Sequence, residues 1–468
     1  MLLEEIRTGW KLDAKVDARR YFYHVSELAR ISSGEKCYVI GRKGTGKTAI
    51  SKFIGEDNGH DTFSEKLSFK NFPFNELYGL GNSSYTRPNQ YITIWKYIIY
   101  SNICKMMARN EAISGEIQSD IKRLYAPDPT NTVQRWIKRW TANDFSLSLL
   151  GFGAKVGMKD LKNEDGWLAK VDVLERVILK YADDSNYFVV FDELDEDYKG
   201  MNELAQFSSY TDLMTGLFKA VQDVKTVFSE TGKKVNPVVF LRDDIYSVIM
   251  DPDKTKWDDF VIELEWDKAK MRLLMSHRIS RSIDEVGTIL PFPQAWSALF
   301  SSNTIGVSGR SKIPLFDYIA RSTFLRPRDF VRFIHTCASL TSSDKISSST
   351  VLKADKSFSN YLRNELIDEI HGVVPDIKAI FDVLSQIRKQ TFSLQEFYRA
   401  FDAKKRDGSI GTQDANYVLK ILFIFSVIGN QPRQVNQTVY RYQTADAEIN
   451  FKENFVVHRG LFKSLQIV

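Results

Sequence analysis

Eight consecutive residues, Gly41-Arg42-Lys43-Gly44-Thr45-Gly46-Lys47-Thr48, fill every fixed position of the pattern G-x-x-x-x-G-K-[ST]. Glycines at these positions let backbone N–H groups converge on an anion with no Cβ in the way, and a helix starting directly behind them adds partial positive charge. The chemistry this spacing predicts is the cradling of a nucleoside triphosphate by residues Gly41 to Ala49. Lys47 is expected to reach the β- and γ-phosphates, and the Thr48 hydroxyl to ligate Mg²⁺. A second stretch supplies acids. Tyr187-Phe188-Val189-Val190-Phe191 is a continuous apolar run that ends in Asp192-Glu193-Leu194-Asp195. Asp192 is expected to bind Mg²⁺ through water, and Glu193 to be the base that polarises an attacking water. The plainer alternative is a solvated acidic loop.

These residues need a scaffold that brings them to one place. Cys37-Tyr38-Val39-Ile40 reads as a short buried strand leading into the glycines, and Thr48 to Ile54 as the helix behind them. The apolar run before Asp192 reads as a central parallel strand buried on both faces. Pro237-Val238-Val239-Phe240-Leu241 is a third such strand and delivers Arg242. In open α/β sheets ligands gather at the carboxyl ends of the strands, which would put all three tips on one edge. Arg242 then has two readings: a sensor of the terminal phosphate, or an ion pair with Asp243 or Asp244.

With these parts in order, the chain resembles the AAA+/STAND side of the P-loop ATPases. It is similar to the origin-recognition-like ATPases and to a group of bacterial ATPases that share a Leu-Arg-x-Asp-Ile strand end, here Leu241 to Ile245, and a later Arg-Pro-Arg-Asp-Phe, here Arg326 to Phe330. The resemblance implies ATP and Mg²⁺ as ligands and ATP hydrolysis as the activity. It also implies a helical lid: Trp266 to Ile283 fits one amphipathic helix, with Ala269, Leu273 and Leu274 apolar and Arg278 and Arg281 cationic. Arg328 stands where a sensor arginine opens a later lid helix whose apolar face is Phe324, Phe330, Val331, Phe333 and Ile334. Arg278 and Arg281 could instead serve as fingers on a neighbouring subunit's nucleotide, and Arg328 could be a surface ion pair.

The fold class expected is α/β: a P-loop ATPase core with a parallel sheet over residues 1–265, interrupted by a helical insertion at about 75–180, then a helical lid at 266–374 and a winged-helix-like domain at 375–468. The core strand after the P-loop helix is expected within Lys66 to Phe74, and a helix from Tyr91 to Met107. Arg109 to Lys138 reads as broken helix, and Phe145 to Leu149 as an exposed strand before Gly151, Gly153 and Gly157. In the last domain Ile377 to Ile387, Leu394 to Phe401 and Gln413 to Phe425 read as helices, with paired strands at Val435 to Gln443 and Glu448 to His458. Such a module reads DNA or docks protein. Gln413, Asn416 and Lys420 are few base-reading groups for a recognition helix, and Lys404-Lys405-Arg406 is a short basic run for phosphates.

Composition is compatible with these expectations. The 468 residues carry 64 Lys and Arg against 59 Asp and Glu, a net charge of +5, weak for a dedicated nucleic-acid binder. The hydrophobic fraction of 43% excludes a disordered chain. Cys37, Cys104 and Cys337 are too few and too scattered for a disulfide framework. No run approaches 18 apolar residues and the start lacks a signal peptide, so a soluble cytoplasmic protein without membrane contact is expected. The activity expected is an ATP-hydrolysing switch controlling a homo-oligomer or an effector, in a setting such as antiphage defence that the resemblance alone implies. The alternative is a DNA-binding ATPase of initiator or transposition-regulator type.

Overall fold

The computed structural model describes residues 2–56, 59–70, 74–79, 86, 89–124, 166–195, 204–306, 312–432, 437–444 and 446–467. By contact the chain divides into two units, His24–Leu264 and a second that joins residues 1–23 to Glu265–Val468.

The first unit is built on five parallel strands: β1 (Tyr38–Ile40), β2 (Thr62–Ser68), β3 (Asn186–Asp192), β4 (Val235–Leu241) and β5 (Val261–Glu263), in the order β2-β3-β4-β1-β5. β1 is buried throughout and β3 from Tyr187 onward, as continuous apolar runs in a doubly covered parallel sheet must be. Ile40 lies in register with Leu241 and Glu263, and Ser68 with Asp192, so the strands end along one edge. β2 begins earlier than the expected Lys66 to Phe74, and Phe74 opens a helix instead. Polar residues mask this strand: its buried Glu65 is held by Lys105 at 2.8 Å and Arg109 at 3.2 Å.

Much of the expected insertion belongs to the core. The helix Ile92–Met107 buries 13 of its 16 residues rather than one face. Trp95 stands edge-on to Phe191 of β3, and its indole N–H donates to the Leu213 carbonyl (2.9 Å) in the helix Leu204–Glu230. The helices Gly115–Leu124 and Gly166–Tyr181 complete the described part. The strand expected at 145–149, the three glycines after it and the broken helix beyond Leu124 lie outside the described residues.

The second unit is mostly helical. Residues 1–23 count with it by contact, not with the first unit, where the sequence reading put them. The reason is the helix Leu2–Gly9, whose Arg7 donates to the carbonyls of Ala338 (3.0 Å) and Thr341 (2.6 Å). The helix Lys268–Ile283 is capped by Asp267, which accepts from Lys270 N–H at 2.7 Å. Its buried face is Met271, Leu274, Met275, Arg278 and Ile279, whereas Ala269 and Leu273 are exposed. After the short pair β6 (Thr304–Ile305) and β7 (Ile313–Pro314) come the helices Leu315–Ala320, Pro327–Ser339 and Ser348–Ile370.

The chain then forms helices Ile377–Ile387, Leu394–Arg406 and Ala415–Ile424, with β8 (Thr391–Phe392), β9 (Ile428–Gln431) and β10 (Asn454–Val457) as an antiparallel sheet in the order β8-β10-β9. Of the expected strand at Val435 to Gln443, the described residues form one bridge, Val439 to Asn430; β9 comes directly after the third helix, in a segment to which the sequence reading assigned no element. The middle helix starts with a reciprocal cap: Glu396 N–H donates to Ser393 Oγ (3.3 Å) and Ser393 N–H to Glu396 Oε2 (2.8 Å). Lys389 (2.5 Å) and the Ser393 N–H hold the Glu396 carboxyl down to about 2. A depressed carboxyl contributes stability that is present above its ordinary value of 4.5 and lost as pH falls through about 2. Glu396→Gln should therefore remove part of the pH dependence of unfolding between those values, followed by far-ultraviolet circular dichroism; an unchanged profile would contradict it.

Candidate functional site

The glycine turn leaves β1 between two neighbours that fix its start. Gly41 N–H donates to the Leu241 carbonyl of β4 at 3.2 Å, and Leu264 N–H to the Ile40 carbonyl at 2.8 Å. A Cβ on Gly41 would lie 2.8 Å from Thr45 Oγ1 and 3.2 Å from the Leu264 Cβ. Gly44 and Gly46 take φ of 86° and 104°, a left-handed backbone that favours glycine. Thr45 closes the loop by donating its hydroxyl to the Arg42 carbonyl at 2.8 Å. Gly46 caps the helix Lys47–Gly55, so Lys47, Thr48 and Ala49 form its first turn, where backbone N–H groups have no partner within the helix.

Lys47 Nζ donates to the carbonyls of Gly41 (2.5 Å) and Arg42 (2.9 Å). Burial brings its pKa down to about 8, against the opposing pull of Asp195 and Asp243. A phosphate arriving here would meet an ammonium already aimed along the loop. It would also favour the charged form.

The acids at the tip of β3 lie beside the loop's helix. Asp192 is buried, with a side chain 3% exposed. Its Oδ2 accepts from Ser51 Oγ (2.5 Å), one turn into the helix, and from Lys66 Nζ (2.8 Å) of β2, while Oδ1 accepts Glu193 N–H at 3.0 Å. Glu193 has φ of 61°, which makes it the one non-glycine residue with positive φ among the described residues of this unit. That conformation costs about 1–2 kcal/mol and turns its carboxylate to the hydroxyl of Ser68 at the end of β2, which donates to it. The residues read from the two distant segments are thus brought together. Ser51, Lys66 and Ser68 were missed. A serine one helical turn after Thr48 is a usable signal, but Lys66 and Ser68 are visible only once β2 is in place.

Arg242 takes its structural role. Its guanidinium grips Asp244 with Nε (2.9 Å) and Nη2 (2.5 Å) and reaches Asp195 with Nη1 (3.4 Å), tying the tips of β4 and β3 together. A role with phosphate would require exchanging these carboxylates.

The arginines of the second unit separate. Arg278 is buried, with Trp10 and Tyr21 rings 4.8 and 4.9 Å from its guanidinium carbon, and Asp17 paired at 2.7 and 3.2 Å. It does not present a finger to a neighbour. Arg281 donates to the Gly287 carbonyl at 2.6 Å and holds the loop after its own helix. Arg328 is 30% exposed, with a long 3.5 Å contact to Glu365. Arg326, at the start of the same motif, is 2% exposed, bonds Asp329 at 3.0 Å through both Nε and Nη2, and reaches Glu369 at 3.4 Å. Burial would lower its pKa, but Asp329 and Glu369 raise it overall. Arg326→Ala would strand buried Asp329 and should cost about 3–5 kcal/mol. Chemical denaturation checks this; a loss below about 1 kcal/mol would contradict the pairing.

Among the described residues no group of three or more His, Cys, Asp or Glu could hold a metal ion. A divalent cation here would depend on the hard oxygens of Thr48 and Asp192 plus phosphate, which is the usual arrangement for Mg²⁺. The described helices contain none long and apolar enough to cross a membrane.

A parallel sheet with a glycine turn after β1 and a buried acid at the tip of β3 defines an α/β phosphate-loop fold. Comparison with known proteins gives a match of residues 269–367 to a family described as "FunZ-associated C-terminal helical domain". The chain is similar to the "Putative transposon gamma-delta 80.3 kDa protein" of Escherichia coli (strain K12), 20% identical over 466 residues, covering 92% of this chain and 62% of that protein. It therefore spans less than two thirds of that relative. Among solved structures, the Aeropyrum pernix ORC1 protein in complex with DNA aligns with a TM-score of 0.38 and 10% identity, over 99% of this chain and 95% of that one. CDC6P from Pyrobaculum aerophilum aligns with a TM-score of 0.33 and 10% identity, over 99% and 96%. The fold rests on the sheet and the glycine turn themselves.

Proposed function

We propose that the chain is an ATP-binding and hydrolysing switch of the AAA+/STAND kind. The observation that carries this reading is the Ser51–Asp192 hydrogen bond, 2.5 Å, which joins the helix of the glycine turn to the acidic tip of β3. Backbone N–H groups from Lys43 to Thr48 would hold the phosphates, and Lys47 would exchange its two carbonyl partners for β- and γ-phosphate oxygens. Thr48 and Asp192 would hold Mg²⁺, which supplies charge neutralisation on the phosphates when bound. Glu193 would leave Ser68 and accept the proton of the attacking water. Arg242, anchored on Asp244, would keep Asp195 in place, whose charge acts on Lys47. Phosphate release from ATP with and without Mg²⁺ tests the reading: Mg²⁺-dependent turnover supports it, and tight ATP binding with no turnover under any activator would make the chain a nucleotide-stabilised subunit instead.

The output of the switch is proposed to be an oligomer or effector, with Arg328 as the residue that senses nucleotide, and antiphage defence proposed as the setting on resemblance alone. A second reading has one specific observation in its favour. The similarity to a protein named for a transposon runs over 92% of this chain, which favours a DNA-handling ATPase. The three C-terminal helices and β8–β10, a winged-helix-like module, would then meet DNA. Lys404, Lys405 and Arg406 end the middle helix and already engage Asp407, the Gln413 carbonyl and the Asp402 carbonyl. Duplex binding that weakens steeply with salt, and is reduced by neutralising these three, would support the DNA reading; no binding at low salt would remove it.

A further inference from the structure

Two residues of β2 serve the acids at the tip of β3. Lys66 and Ser68 share one face of the strand, and each engages one of them: Lys66 takes Asp192 and Ser68 takes Glu193. Lys66 is the less expected of the two, because it places a cation on the carboxylate that a divalent ion would use. We propose that Lys66 is a positioning residue for Asp192 that partly neutralises it and so sets the Mg²⁺ requirement of the site. The inference rests on the nucleotide-site reading above.

Lys66, Ser51 and Asp192 contact one another pairwise. Lys66 Nζ lies 2.8 Å from Asp192 Oδ2 and donates to Ser51 Oγ, also at 2.8 Å, while Ser51 donates to the same Oδ2 at 2.5 Å. The stem of Lys66 lies against Gly55, the last residue of the loop's helix. A Cβ on Gly55 would stand 2.9 Å from Lys66 Cβ and 3.5 Å from its Cδ. The glycine thus makes room for a lysine stem at the point where helix and strand pass. Lys66 keeps 21% of its side chain exposed and Asp192 only 3%, so the carboxylate cannot turn to water for compensation. An ammonium held this close offsets the charge available to Mg²⁺. Removing one elementary charge a few ångströms from the ion at protein-like dielectric is expected to change its affinity by about tenfold or more.

The test is binding of a fluorescent ATP analogue to the full chain as a function of Mg²⁺ concentration. Lys66→Met should lower the half-saturating Mg²⁺ concentration about tenfold, and Lys66→Arg, which keeps the charge, should stay within about threefold of the wild type. Lys66→Gln, which keeps a donor but not the charge, should follow Lys66→Met and decides the matter if that variant does not fold. A salt bridge that served the fold alone would lower the thermal midpoint in Lys66→Met and leave the Mg²⁺ requirement where it was; that result, or a raised requirement in Lys66→Gln, would overturn the proposal. Absence of nucleotide binding by the wild type at any Mg²⁺ concentration would overturn the site reading and this inference together.

Discussion

Glu193→Gln is expected to slow ATP turnover by about 10²- to 10⁴-fold, the usual contribution of a positioned general base, while nucleotide affinity stays within about threefold. The expectation follows from position. Glu193 sits one residue beyond the buried acid, in a strained backbone conformation that aims its carboxylate at the exposed Ser68 hydroxyl. Glutamine has the same shape and can still accept the Ser68 hydrogen bond, so the loop should keep its form and lose only the proton acceptor. Steady-state phosphate release and equilibrium binding, measured on the same preparation, separate the two effects. Equal turnover in both proteins would remove Glu193 from the chemistry.

Lys47→Ala should weaken ATP binding by about 10²- to 10³-fold, the loss of two charge-assisted hydrogen bonds to phosphate. The side chain does not pay for the fold in the same way. Its ammonium is disfavoured by burial, with a pKa of about 8, and its two bonds go to carbonyls of its own loop. Thermal stability without nucleotide should therefore change little, while the stabilisation that ATP gives should disappear. A Lys47→Ala protein that melts early and still binds ATP would reverse that assignment.

How much of this could be read in advance depended on whether a residue's partner was near in sequence. β1, β3 and β4 announce themselves because strands buried on both faces must be apolar, and each carries its chemistry at its end, at Gly41, Asp192 and Arg242. β2 does not, because Glu65, Lys66 and Ser68 are polar residues satisfied by the helix Ile92–Met107 with Arg109 just beyond it, by Asp192 and by Glu193; their polarity reads as loop until those partners are present. In sequence Arg278 reads as a candidate finger, and Arg326 as the opening of the motif that carries the candidate sensor Arg328. What distinguishes Arg278 is a cage from the far amino end, with Asp17 paired at 2.7 Å across 261 positions of chain. Arg326 pairs within its own turn, and the motif Arg326 to Phe330 contained that answer in Asp329. The helix Ile92–Met107 was legible as a helix but not as a core element, since burial on all sides includes Thr93, Ser101 and Asn102.

The most direct measurement is a structure of Glu193→Gln with ATP and Mg²⁺. The account predicts that Lys47 Nζ has left the Gly41 and Arg42 carbonyls for the β- and γ-phosphates, with Thr48 and Asp192 gathered around a single ion. A nucleotide bound elsewhere, with Lys47 still on those two carbonyls, would contradict it.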